Sequence, residues 1–138
     1  MLEVLVSIIV VTMGLLGLAG MSIRSLAAND SSGNRANAAL SAFYIADLMR
    51  GNRQQTVNGL YDVALGTNTA PVLAPAQVKA DVVAWKTLIQ TMPEGDGSVA
   101  FDPVGQLATI VVRWNDVRGN MSDTETATFQ TYAYSFRP

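Results

Sequence analysis

The stretch VLVSIIVVTMGLLGLAGMSI, Val4 to Ile23, decides how the rest of the chain is read. Its twenty residues carry no charge and lie between Glu3 and Arg24. At 1.5 Å per residue a helix of that length spans about 30 Å, the thickness of a bilayer's hydrocarbon core. A cleaved signal peptide is one alternative, but its apolar region usually covers about 7–15 residues behind a basic start. This run is longer and has no basic start, which favours a retained membrane helix. A buried helix of a soluble protein is the other alternative, for which the remaining chain is small.

The charges at the two ends leave orientation open. Arg24 stands at the far end and Glu3 at the near end, so the positive-inside rule taken literally places the rest of the chain in the cytoplasm. A basic leader ahead of Met1 would reverse that assignment. Within the run, Gly14, Gly17 and Gly20 recur every third residue. In a water-exposed helix each costs about 1 kcal/mol relative to alanine. In lipid, small residues let helices approach closely, although a spacing of three drifts around the helix. Alternatively the glycines loosen this stretch when it leaves the membrane, or reflect ordinary enrichment in membrane helices. Glu3 complements the helix dipole at the membrane boundary. Packed among other apolar helices, it would require a positive partner.

The remainder has the composition of an ordinary soluble domain. Roughly 110 residues suffice for one modest core. The net charge of −2 and the scattered basic residues give no stripe for phosphates, so no nucleic-acid binding is inferred. The chain has no Cys and no His. Disulfides, thiolate metal sites and the commonest general base are therefore missing, which argues against an enzyme. The carboxylates Glu94, Asp96 and Asp102 gather around the EGDGS turn but lack the spacing of a calcium loop. Asp116 and Asp123 flank a hairpin turn. No nucleophile–base pair and no phosphate loop is found, and no cofactor or metal is expected.

After Arg24, the run Asn29-Asp30-Ser31-Ser32-Gly33-Asn34 predicts a weakened or interrupted helix. Helical pattern resumes near Arg35 and runs to about Arg53, with Leu40, Tyr44, Ile45, Leu48 and Met49 as its core-facing stripe. Residues Asn52 to Ala74 read as a surface loop. Val78, Val82, Trp85, Ile89 and Met92 mark an amphipathic helix that Pro75 begins and Pro93 stops. In LATIVVRW, Ala108, Ile110, Val112 and Trp114 alternate onto one face of a strand. Val99 to Phe101 supplies a short strand before it. A final strand runs from roughly Thr124 to Phe136, with Tyr132, Tyr134 and Phe136 on one side. Turns fall at Asp102-Pro103-Val104-Gly105 and from Asp116 to Asn120. The expected fold is α+β: a long N-terminal helix, half transmembrane and half in the head, packed on a small antiparallel sheet. Residues 1–28 form the membrane and assembly helix, and residues 29–138 form the head.

The segment MLEVLVSIIVVTMGLLGLAGM resembles the amino-terminal region of type IV pilins and pseudopilins, whose mature chains open with a sequence like Phe-Thr-Leu-Leu-Glu. Leu2 and Glu3 match its last two residues, and Met1 the one before. GLLGLAG, RANAALSAFYIADLMRGNR, ADVVAWK, MPEGDGSV and VVRWND look like the PilV-type minor pilins, in the same order and over most of the chain. The resemblance implies a basic leader and cleavage site ahead of Met1, removal of that leader by prepilin peptidase, and methylation of the new terminus. It implies that Glu3, with Leu2 beside it, serves assembly by pairing with the terminal amine of a neighbouring subunit. It implies an inner-membrane protein with a periplasmic head that reaches the cell surface in the pilus. Its expected partners are other minor pilins and the major pilin, and its expected role is priming pilus assembly. The missing cysteines depart from major pilins and point to a minor subunit. The alternatives are a type II secretion pseudopilin and a signal-anchored binding domain that never polymerises.

Overall fold

The computed structural model describes residues 2–116 and 129–138. One helix, α1, runs from Leu2 to Gly51, and a five-residue helix α2 (Arg53–Val57) follows it directly. Helix α3 spans Ala76–Ile89. Among the described residues, the head also contains the strands β1 (Asp96–Asp102), β2 (Leu107–Asn115) and β3 (Phe129–Phe136). They form an antiparallel sheet in the order β1-β2-β3, so sequence neighbours are also spatial neighbours. Val99 pairs with Ile110, and Ile110 with Tyr134. The fold is α+β, a long N-terminal helix laid on a small antiparallel sheet.

The register follows from side-chain alternation. Ala108, Ile110, Val112 and Trp114 of β2 are all buried, and the residues between them are half-exposed. Slipping this strand by one residue would turn the whole set to solvent. On β3, Tyr132, Tyr134 and Phe136 share the inner side as expected. The expected start of that strand before Phe129, the turn from 117 to 120 and Asp123 lie outside the described residues. Helix α3 buries Val78, Val82, Trp85 and Ile89, and Met92 just beyond it is buried too. Pro75 occupies its N-cap, where a residue without an N–H forfeits no helical bond.

Three expectations are corrected. First, α1 is unbroken through Asn29–Asn34. Those six residues cost about 0.5–1 kcal/mol each relative to alanine. Breaking the helix there means nucleating a second one, which costs about 4 kcal/mol for a nucleation constant near 10⁻³. The two costs nearly cancel, and the hydroxyl of Ser31 adds a hydrogen bond to Asp116 Oδ2 at 2.6 Å. The helix therefore continues.

Second, the expected stripe on α1 holds at Ile45 and Met49, but the rest of the buried face is Ala38, Ser41, Ala42 and Ala46. Leu40 and Tyr44 stand outside it at 65% and 45% exposure, and Leu48 packs at its margin. Size alone suggested the stripe, whereas the face packed on α3 and the sheet combines Ile45 and Met49 with small residues. Third, residues 52–74 are more than a surface loop. Thr56, Tyr61, Val63, Ala70 and Ala74 are buried, and Val63 exchanges two 2.9 Å backbone hydrogen bonds with Val99 on the outer side of β1.

Candidate functional site

Among the described residues, none in the first half of α1 is buried against the rest of the chain. No residue of the helix ahead of Ala38 is buried, and this segment is long and apolar enough to cross a membrane. Three of its hydroxyl groups bond back to the helix's own carbonyls. Ser7 donates to the carbonyl of Glu3 at 2.8 Å, Thr12 to that of Ile8 at 2.8 Å, and Ser22 to that of Leu18 at 3.1 Å. Satisfying those groups within the helix leaves an apolar cylinder, the condition a lipid environment imposes.

Glu3 lies in the first turn of this cylinder, beside the fully displayed Leu2. Among the described residues its carboxylate has no ion-pair or hydrogen-bond partner. Gly14, Gly17 and Gly20 lie in the same half. A Cβ built on any of the three would meet no atom within 4 Å, so among the described residues no contact requires glycine there. At 100° per residue the three also shift by about 60° at each step, and no single seam contains them.

The acidic residues around EGDGS do not converge. Asp96 accepts a hydrogen bond from Lys86, Glu94 accepts one from the side-chain amide of Asn115, and Asp102 accepts one from the Val104 amide. Among the described residues no group of three potential metal ligands forms.

Two polar networks in the head escaped the sequence reading. Lys86 on α3 is 2% exposed and donates to Asp96 Oδ1 at 2.7 Å, to the Gly97 carbonyl and to the Ala64 carbonyl. Burial opposes ionisation of Asp96, but the bond from Lys86 and those from the Gly66 and Gly97 amides outweigh it. Its carboxyl is held below the ordinary aspartate range. Tyr61 donates to Asp81 Oδ2 at 2.7 Å and accepts from Asn52 Nδ2 at 2.8 Å, while Gln77 donates to Asp81 Oδ1 at 2.9 Å. Burial, and then the hydrogen bond to Asp81, raise the Tyr61 phenol well above its usual value. Both networks tie α3 to the segment that precedes it, and the Lys86 network also reaches β1. A lysine at helical spacing looks like a surface residue, and only the three-dimensional meeting with Asp96 reveals otherwise.

The end of α1 is fixed to the sheet by Arg50. Its guanidinium donates to Tyr134 Oη at 2.8 Å and to Asp47 Oδ1 at 2.7 Å, and stacks 4.6 Å from the Phe136 ring. Comparison of the chain with protein-family models, with curated proteins and with solved structures finds no match. The functional reading therefore rests on the residues themselves. What they present is a helix whose apolar first half is exposed, with a carboxylate in its first turn that has no partner among the described residues, and a compact head packed on its second half.

Proposed function

We propose that this chain is a minor pilin of a type IV pilus, held in the inner membrane by α1 with its head in the periplasm, and that it helps prime pilus assembly. One observation carries the reading: a fifty-residue helix is apolar and uncovered in its first half and forms the spine of a small sheet in its second. That division suits a subunit which waits in a bilayer and then packs its helix among others. Glu3 adds the recognition element. A charge in apolar surroundings costs about 2.5–3.5 kcal/mol by insertion scales, and a positive partner on a neighbouring subunit removes that penalty. In the pilin class that partner is the terminal amine, exposed by prepilin peptidase and then methylated. The other minor pilins and the major pilin are the neighbours. The role is assembly, with no catalysis.

The test is the location of the chain in its own cells. Sheared surface filaments, probed with an antibody to the head, should contain the native chain. The Glu3→Val variant should remain in the membrane fraction and be missing from filaments. Native chain absent from filaments, with protein secretion impaired by its deletion, would assign it to a type II secretion pseudopilus. Absence from filaments with secretion intact would make it a signal-anchored domain.

A further inference from the structure

The run Asn29–Asn34 is helical against its own composition, and a side-chain hydrogen bond joins it to the head. No residue between Leu2 and Asn37 is buried, so packing against the core does not enforce the helix here. Helix residues Asn29, Asp30, Gly33, Asn34 and Asn37 form one wall of a polar groove of about 640 Å³, with Pro93, Asn115 and Asp116 on the head side. Across this gap the Ser31 hydroxyl reaches Asp116 Oδ2 at 2.6 Å. Asp116 is 6% exposed and directly follows β2, so its position is set by the sheet. Core packing of α1 begins only at Ala38, seven residues further on.

We propose that residues 29–34 are a latent hinge between the membrane half of α1 and the head, kept helical by the Ser31–Asp116 hydrogen bond. With the bond made, α1 is one rod and the head stands at a fixed angle to the membrane. With the bond broken, the run of Asn, Asp, Ser and Gly loses the support that offsets its poor helix propensity, and the head swings. Such a joint lets a head change its attitude toward neighbours while its anchor stays in the lipid. The inference requires only that α1 anchors the chain in a membrane; the pilin reading can fail without it.

The chain has no cysteine, so two introduced cysteines can be spin-labelled cleanly. Ser25→Cys and Leu40→Cys place labels at exposed positions on either side of the run. Fifteen residues of straight helix separate them by about 22 Å along the axis. Double electron–electron resonance on the full chain in lipid nanodiscs should give one narrow distance. Ser31→Ala should broaden it toward shorter values and raise the bent population about tenfold, even though alanine is the better helix former. Asp116→Ala, which removes the same bond from the other side, should do likewise while the near-ultraviolet signal of the tryptophans shows an intact head. Replacing Asn29, Ser32, Gly33 and Asn34 by alanine on the Ser31→Ala background should restore the narrow distance. A distance that stays narrow in both single variants overturns the latch. Broadening that persists in the alanine-rich helix places the bend elsewhere and overturns the hinge.

Discussion

Lys86 Nζ lies 2.7 Å from Asp96 Oδ1, with the lysine side chain 2% exposed and the aspartate 18% exposed. The pair joins α3 to the start of β1, and the lysine's other hydrogen bonds go to main-chain carbonyls of Gly97 and Ala64. An ammonium this deep in the head is stable only because all its protons are directed at oxygen. The two partners are therefore unequal. Asp96 can rehydrate when its neighbour is removed, whereas Lys86 cannot.

Asp96→Ala should destabilise the head by about 3–5 kcal/mol, because it strands a buried charge. Lys86→Met, which keeps the side chain's length and removes the charge, should cost less. Urea unfolding of the detergent-solubilised chain, followed by tryptophan fluorescence, measures both. The acid side has a definite sign. The carboxyl of Asp96 is depressed in the folded state, so its contribution is full above the ordinary aspartate range and is lost as pH falls through the folded value. The Asp96→Ala variant should lack that part of the acid sensitivity.

Tyr61 predicts the opposite slope. Burial and the hydrogen bond to Asp81 raise its phenol, so the folded chain keeps a proton that the unfolded chain releases. The stability it contributes is complete below the ordinary tyrosine value near 10 and declines as pH rises beyond it. Tyr61→Phe should remove this alkaline decline. At neutral pH it should cost about 1–3 kcal/mol, since a carboxylate oxygen of the 6%-exposed Asp81 loses its donor. Chemical unfolding at a series of alkaline pH values compares the two chains directly. An unchanged slope in the variant would assign the decline to another group.

The glycines of EGDGS predict a steric effect. A Cβ on Gly97 would stand 2.7 Å from Trp85 Cη2 and 2.9 Å from the Val111 carbonyl oxygen. On Gly95 it would overlap the Ile89 carbonyl oxygen. Gly97→Ala should therefore displace the Trp85 ring and cost about 1–3 kcal/mol, with a change in near-ultraviolet circular dichroism. Gly95→Ala meets main chain, which yields less than a side chain, and should cost more. Equal or negligible losses in the two variants would show that the α3–β1 connection relaxes freely.

The sequence made the periodic elements legible and left the meetings between them hidden. Period-two alternation from Ala108 to Trp114 and the heptad-like spacing of Val78, Val82, Trp85 and Ile89 located β2 and α3, because each element's buried face is written in its own residues. Turn chemistry at 102–105 located the β1–β2 connection, where the Asp102 side chain accepts from the Val104 amide at 2.9 Å. Other features depend on partners distant in the chain. Tyr61 sits in a polar segment and reads as exposed until Asp81, twenty residues on, is placed beside it. Turn formers at 29–34 suggested a break, but the cost of nucleating a second helix offsets their poor propensity, and the hydrogen bond of Ser31 to Asp116 comes from far along the chain. Of the candidate assembly residues, the placement of Glu3 at the start of an uncovered apolar helix was readable from charge alone, since no contact among the described residues intervenes.

The face of α1 gives the last prediction, and it separates two readings of one helix. Hydrophobic size favours Leu40 and Tyr44 as core residues, but both are exposed, while Ala38, Ala42 and Ile45 are fully buried. Leu40→Ser should therefore change stability by no more than about 0.5 kcal/mol. Ile45→Ala should cost about 2–5 kcal/mol through lost contacts and the cavity left behind. Ala42→Leu tests the same geometry from the other direction. It adds three carbon atoms where the helix lies closest to its neighbours, and should cost about 1–3 kcal/mol through overpacking. A shift of the unfolding midpoint in the reverse order, with Leu40→Ser severe and Ala42→Leu harmless, would require α1 to be rotated about its axis. That rotation would carry Arg50 away from Tyr134 and Phe136, so the Arg50→Ala variant provides a check within the same series. With the helix placed as described, that variant should loosen the end of α1 by about 1 kcal/mol.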